Sequence, residues 1–93
     1  MNICFLDNTN FEYNSQDIYS YKLRGAETVL INLSKELSNL GHKITVINNC
    51  YKSEIIDDIS WKKIQSYNDK ETFDLAISNG DTSLFDKINS NKK

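Results

Sequence analysis

Arg24, Gly25, Ala26 and Glu27 form the run in this sequence best equipped to hold a ligand. A glycine that opens a helix lets a ligand approach the backbone, where unpaired N–H groups and the helix dipole favour a phosphate or another anion. Arg24 adds a permanently charged, planar donor beside them. The plainer alternative is that Gly25 only starts a helix and Arg24 is solvated. Three more polar groups follow apolar runs: Asp7 with Asn8, Asn48 with Asn49, and Asn79 with Gly80 and Asp81. The last could offer an amide and a carboxylate to a ligand hydroxyl, or be a turn followed by a helix cap. Asp7 has the chemistry of a base, but a lone carboxylate without a partner proves little.

Several chemistries are excluded by what the chain lacks. Neither GxGxxG nor GxxxxGK[ST] is present, and three glycines leave no room for either motif to be hidden. Cys4 and Cys50, with one histidine and no CxxC, make neither a disulfide framework nor a metal site. No cofactor is expected. His42, beside Gly41, reads as exposed and structural, and Trp61 as core or edge packing.

The elements that must position these groups follow from periodicity. Residues 2–7 (NICFLD) are almost continuously apolar, as a strand buried on both faces of a parallel sheet would be. Residues 8–24 show no period and are longer than the usual connection of roughly 2–6 residues in an α/β unit. Phe11, Tyr13, Tyr19 and Tyr21 in this loop seek burial or a ligand. In residues 25–40, Ala26, Val29, Leu30, Leu33, Leu37 and Leu40 recur at steps of three and four, predicting an amphipathic helix. Asn32, Lys35, Glu36 and Asn39 fall on its other face, Glu27 meets the positive end of its dipole, and Gly41 suits its left-handed stop.

Residues 43–47 (KITVI) predict a second buried strand, parallel to the first through a right-handed crossover. Residues 53–60 read as a loop or short helix, 61–65 (WKKIQ) as a short edge strand, and 68–72 as a loop or a helical turn. Residues 74–78 (DLAIS) predict another strand, after which Asp81 or Thr82 caps a helix through Leu84, Phe85 and Ile88. In open parallel sheets, ligands bind beyond the carboxyl ends of the strands, where Asn8, Gly25 and Asn79 would then lie.

With 93 residues, the chain makes at most one small domain. A charge of −2 without a basic run argues against nucleic acid as a partner. No stretch reaches the roughly 20 apolar residues of a membrane span, and the first residues lack a secretory pattern, so a cytoplasmic location is expected.

The order of these pieces resembles a known family. An apolar first strand, a loop ending in Gly25-Ala26-Glu27, a leucine-rich helix, Gly41-His42-Lys43 and a β-branched strand are similar to the amino-terminal lobe of nucleotide-sugar-dependent glycosyltransferases. The nearest group is the large retaining, two-lobed (GT-B type) family that builds bacterial surface polysaccharides and glycolipids. Phe73-Asp74-Leu75-Ala76-Ile77-Ser78-Asn79 resembles its later strand. About 80 of the 93 residues take part in the likeness.

That resemblance implies an α/β, Rossmann-like parallel sheet with flanking helices, here an incomplete three-layer sandwich. It also implies that residues 1–93 are a truncated acceptor-side domain whose carboxy-terminal, nucleotide-sugar lobe lies outside the chain. The glycine loop would face the cleft between lobes, near the donor's phosphates and a sugar or lipid-linked acceptor. Substrate contacts then carry over to Gly25 and Ala26, and next to Glu27 and Asn79, with Asn8 and Arg24 alongside. Arg24 departs from the family, which has a glycine there. The full enzyme would associate peripherally with a membrane, and the fragment alone would be inactive. The rival expectation is a stand-alone α/β interaction module that dimerises through a sheet edge. A receiver-type domain would need clustered acids after the first strand, and only Asp7 is there.

Overall fold

The computed structural model describes residues 1–9, 12–17, 25–67, 71–79 and 88–90. Strands β1 (Asn2–Leu6) and β2 (Lys43–Asn48) are joined through helix α1 (Gly25–Asn39) and pair in parallel, with Asn2 opposite Lys43 and Leu6 opposite Ile47. Strand β3 (Glu54–Ile56) turns straight into β4 (Ile59–Lys63), and β5 (Thr72–Phe73) leads into β6 (Leu75–Ser78). The five-stranded sheet runs β3-β4-β2-β1-β6, parallel throughout except for β3. A short strand β7 (Asn89–Ser90) pairs with β5 apart from it. This is a small α/β, Rossmann-like fold.

β1 and β2 are buried on both faces, which is why they read as continuous apolar runs. Ile3, Phe5, Ile44, Val46, Ile59 and Trp61 point to the face that carries α1. Cys4, Leu6, Ile47, Phe73, Ala76 and Ile88 form the core of the opposite face. Burying each large aliphatic side chain contributes about 1.5–3 kcal/mol before entropy is set against it.

Four expectations change in the structure. Residues 53–60 are neither loop nor helix. They build a β-hairpin whose turn residues Asp57 and Asp58 have φ of 51° and 63°. Two consecutive left-handed residues match the twist of a tight hairpin, and aspartate tolerates that region. The segment 61–65 is not an edge strand either: β4 lies inside the sheet between β2 and β3, with Trp61 fully buried, and residues 64–66 form a 3₁₀ turn.

The third change concerns the helix. α1 forms where its spacing predicts and ends at Gly41, whose φ of +96° is the left-handed stop. Its buried face, however, is Glu27, Leu30, Ile31 and Ser34. Val29, Leu33 and Leu40 of the expected stripe stay exposed, at 62%, 41% and 74%. At about 100° per residue, the buried face is turned roughly a quarter of a circle from the apolar stripe. The cause is placement: α1 packs chiefly over β2 and β4, so the side of the helix toward those strands is the one that is buried. Ile88, expected in a helix, sits in a bend and is buried; the rest of that expected helix (81–87) lies outside the described residues.

Candidate functional site at the carboxyl edge of the sheet

Parallel pairing brings the ends of β1, β2 and β6 to one edge of the sheet. The Asp7 N–H donates to the Ile47 carbonyl at 3.1 Å, and the Asn79 N–H donates to the Leu6 carbonyl at 2.8 Å. Asn79 therefore sits beside the point where β1 hands over to Asp7 and Asn8.

The described part of the loop after β1, residues 7–9 and 12–17, is held by hydrogen bonds and burial. Asp7 is 1% exposed and Tyr13 is fully buried. Asp7 Oδ1 accepts from the Thr9 N–H at 3.0 Å and the Thr9 hydroxyl at 2.8 Å, while the Tyr13 hydroxyl donates to Asp7 Oδ2. Asn48 Nδ2 donates to the Tyr13 carbonyl at 3.1 Å, and the Tyr13 N–H donates to the Asn49 carbonyl at 3.2 Å. The Tyr13 ring meets Trp61 edge-on, with centroids 6.1 Å apart. Burial, and then the hydrogen bond to Asp7, push the Tyr13 phenol well above its ordinary range. It stays a neutral donor. A few residues on, a 3₁₀ turn (Ser15–Asp17) is closed by Asp17 Oδ2, which accepts from the Asn14 N–H at 3.1 Å and the Tyr51 hydroxyl at 3.0 Å.

Of the sequence-predicted site residues, Asn8, Gly25 and Ala26 are exposed, and Asn79 is half-buried. Ala26 and Asn79 line one groove of about 120 Å³ with Ser78, whose floor and walls are Phe5, Ile77, Val29, Leu30 and Leu33. Two of the expected residues thus share a single surface. Gly25 has open space where a side chain would be, with nothing within 4 Å of an added Cβ. Glu27 differs: it is fully buried, so its carboxylate faces the protein interior and not the groove. Arg24 lies outside the described residues, as do Gly80 and Asp81.

Asp7, with both carboxylate oxygens accepting hydrogen bonds, holds the loop instead of standing open as a base. Sequence reasoning missed the partnership of Asp7 with Thr9 and Tyr13. The available signals were the two-residue spacing typical of an aspartate turn and Tyr13 as one of the loop's four aromatic residues. Burial pushes the Cys4 thiol up to about 12 and raises that of Cys50 as well, so both are inert apolar fillers in the fold. Among the described residues no group of three or more His, Cys, Asp and Glu side chains could hold a metal. No helix among them is long and apolar enough to cross a membrane.

Comparison with known proteins found no matching family model, no matching curated protein and no matching solved structure.

Proposed function

We propose that this chain is the acceptor-side lobe of a two-lobed, retaining glycosyltransferase that moves a sugar from a nucleotide-sugar to an acceptor in cell-envelope polysaccharide or glycolipid synthesis. The observation that carries the reading is the meeting of Ala26, from the first turn of α1, with Asn79, from the end of β6, in one groove at the carboxyl edge. The sequence resemblance of Gly25-Ala26-Glu27 and of residues 73–79 supplies the reaction class.

In this reading each group has a limited role. The N–H groups at the start of α1 orient an anionic part of donor or acceptor, and Gly25 leaves the space for it. The Asn79 amide hydrogen-bonds a sugar hydroxyl, and Asn8, exposed just after β1, lies at the same edge of the sheet outside the groove lining. Glu27 acts from inside, holding the helix start in place. Stabilising the departing diphosphate falls to a second lobe that grips the nucleotide-sugar. The reaction belongs on the cytoplasmic side, with peripheral membrane contact by the whole enzyme and no nucleic-acid partner.

Amide NMR titration with a nucleoside diphosphate, a nucleotide-sugar and a short saccharide acceptor tests this. Shifts confined to Asn8, Gly25, Ala26 and Asn79 would support it. Titrations that leave those amides unmoved, or sugar transfer by these 93 residues alone, would count against it. A second reading, a small interaction module, is favoured by one observation: the apolar flank of α1 left exposed at Val29, Leu33 and Leu40.

A further inference from the structure

Asn79 has a chemistry that ligand binding leaves unused. Of the chain's asparagines it alone precedes a glycine, Gly80. The main-chain nitrogen after an asparagine can close a five-membered ring onto the side-chain carbonyl carbon. A side chain on that next residue crowds the approach, and glycine has none.

The structure leaves Asn79 open to this step. The residue is half-buried in a bend, and β6 has ended at Ser78. Its N–H is fixed to the Leu6 carbonyl at 2.8 Å, so the main chain leading into it is anchored. Its side chain lines the groove with Ala26 and Ser78, and among the described residues no partner holds the side-chain amide. Asn14, which precedes the small Ser15, is the contrast. It is 1% exposed, and its Oδ1 accepts from the Gln16 N–H at 2.9 Å. Asn48 is closed off too, with its Nδ2 donating to the Tyr13 carbonyl.

We propose that Asn79 is a site of spontaneous deamidation, where the groove loses a neutral amide and gains a carboxylate. The Gly80 nitrogen gives up its proton and attacks the Asn79 side-chain carbonyl carbon. The bond from that carbon to the side-chain nitrogen breaks, and ammonia leaves with the proton. Water then adds across one of the two carbonyl–nitrogen bonds of the cyclic imide. Opening at the side-chain carbonyl gives aspartate. Opening at the main-chain carbonyl gives isoaspartate, with the chain running through the side chain and one methylene longer. Amide and water thus become carboxylic acid and ammonia, and no oxidant, metal or second protein is needed.

The place of the new charge gives the step a consequence. Ala26, which lines the same groove, belongs to the first turn of α1, where free N–H groups and the dipole favour an anion. A carboxylate at residue 79 competes for that positive end, repels an anionic ligand, and accepts hydrogen bonds without donating any. Deamidation therefore turns the groove off with age. This consequence rests on the sugar-transfer reading; the modification itself does not.

Peptide mapping by mass spectrometry after prolonged incubation of the folded 93-residue chain tests the modification. Asn79 should convert to a mixture of aspartate and isoaspartate ahead of every other asparagine, and Gly80→Ala should slow it severalfold. A folded chain that keeps the Asn79 amide while the urea-unfolded chain loses it would overturn the proposal. So would equal rates in Gly80→Ala and wild type. If Gly80→Ala does not fold, Asn79→Gln replaces it: the longer side chain would have to close a six-membered ring, and residue 79 should keep its amide. For the consequence, Asn79→Asp should bind a nucleoside diphosphate about tenfold or more weakly than fresh wild type. Equal binding would overturn the switch and leave the modification standing. No binding by fresh wild type would sink the switch and the sugar-transfer reading together, while the peptide map still decides the modification.

Discussion

The Tyr13 hydroxyl donates to the Asp7 carboxylate across a six-residue stretch of chain, and both side chains are closed off from solvent. One contact thereby ties the carboxyl end of β1 to the loop that leads toward α1. Tyr13 also packs on Trp61 of β4, so the loop is pinned to two strands that are not neighbours in the sheet.

Tyr13→Phe keeps the ring contact but leaves Asp7 Oδ2 buried without that donor. The expected loss is about 1–3 kcal/mol, since an unpaired buried acceptor costs more than a hydrogen bond normally contributes. The double variant Asp7→Asn with Tyr13→Phe should cost less than the sum of the two single changes, because both remove the same bond. Urea denaturation reads the difference. Strict additivity would mean the bond contributes nothing to stability.

The two described glycines should respond oppositely to alanine. Gly41 has a φ of +96°, where a Cβ is strained, so Gly41→Ala should lose about 1–2 kcal/mol. Gly25 is helical and an added Cβ meets nothing within 4 Å, so Gly25→Ala should be neutral or stabilising by up to about 1 kcal/mol. Thermal melts check both, because about 1 kcal/mol moves the midpoint by about 4–8 °C in a domain of this size. If Gly25→Ala is stable but abolishes ligand-induced NMR shifts, the space at Gly25 serves the ligand.

At the opposite, amino-terminal end of the sheet, Glu71 accepts from Asn2 Nδ2 at 2.8 Å and pairs with Lys43 Nζ at 3.3 Å. Burial works to raise its pKa. The hydrogen bonds from Asn2 and Lys43, with the lysine charge, outweigh it and hold the carboxyl below its ordinary value. A carboxylate whose folded pKa is lowered stabilises the fold above its unfolded pKa. That contribution is lost as pH falls through the lowered folded value. Glu71→Gln should therefore be less stable than wild type at neutral pH, with the gap closing in acid. An equal gap at every pH would show that the ionised form does not matter.

How much of this was legible beforehand depends on how local the signal was. β1, β2 and β6 stood out because strands buried on both faces read as apolar runs, and Gly41 because only a left-handed stop suits it there. The hairpin of β3 and β4 did not stand out: its turn is Asp57-Asp58, without the glycine that normally marks such turns, and three residues of β3 are too few to show alternation. Asn79 and Ala26 could each be named from the sequence, but nothing local says that they line the same groove.

The sequence by itself determined the α/β class, the helix between two buried strands and the glycine at its start, because each follows from chain-local periodicity and backbone preference. Only the tertiary structure decided which side of that helix faces inward. The choice set Glu27 and Ser34 inside and Val29, Leu33 and Leu40 outside. The reason is that the orientation of a helix is set by which strands it packs over, a long-range relation. α1 packs chiefly over β2 and β4, so the side toward those strands is the one that is buried.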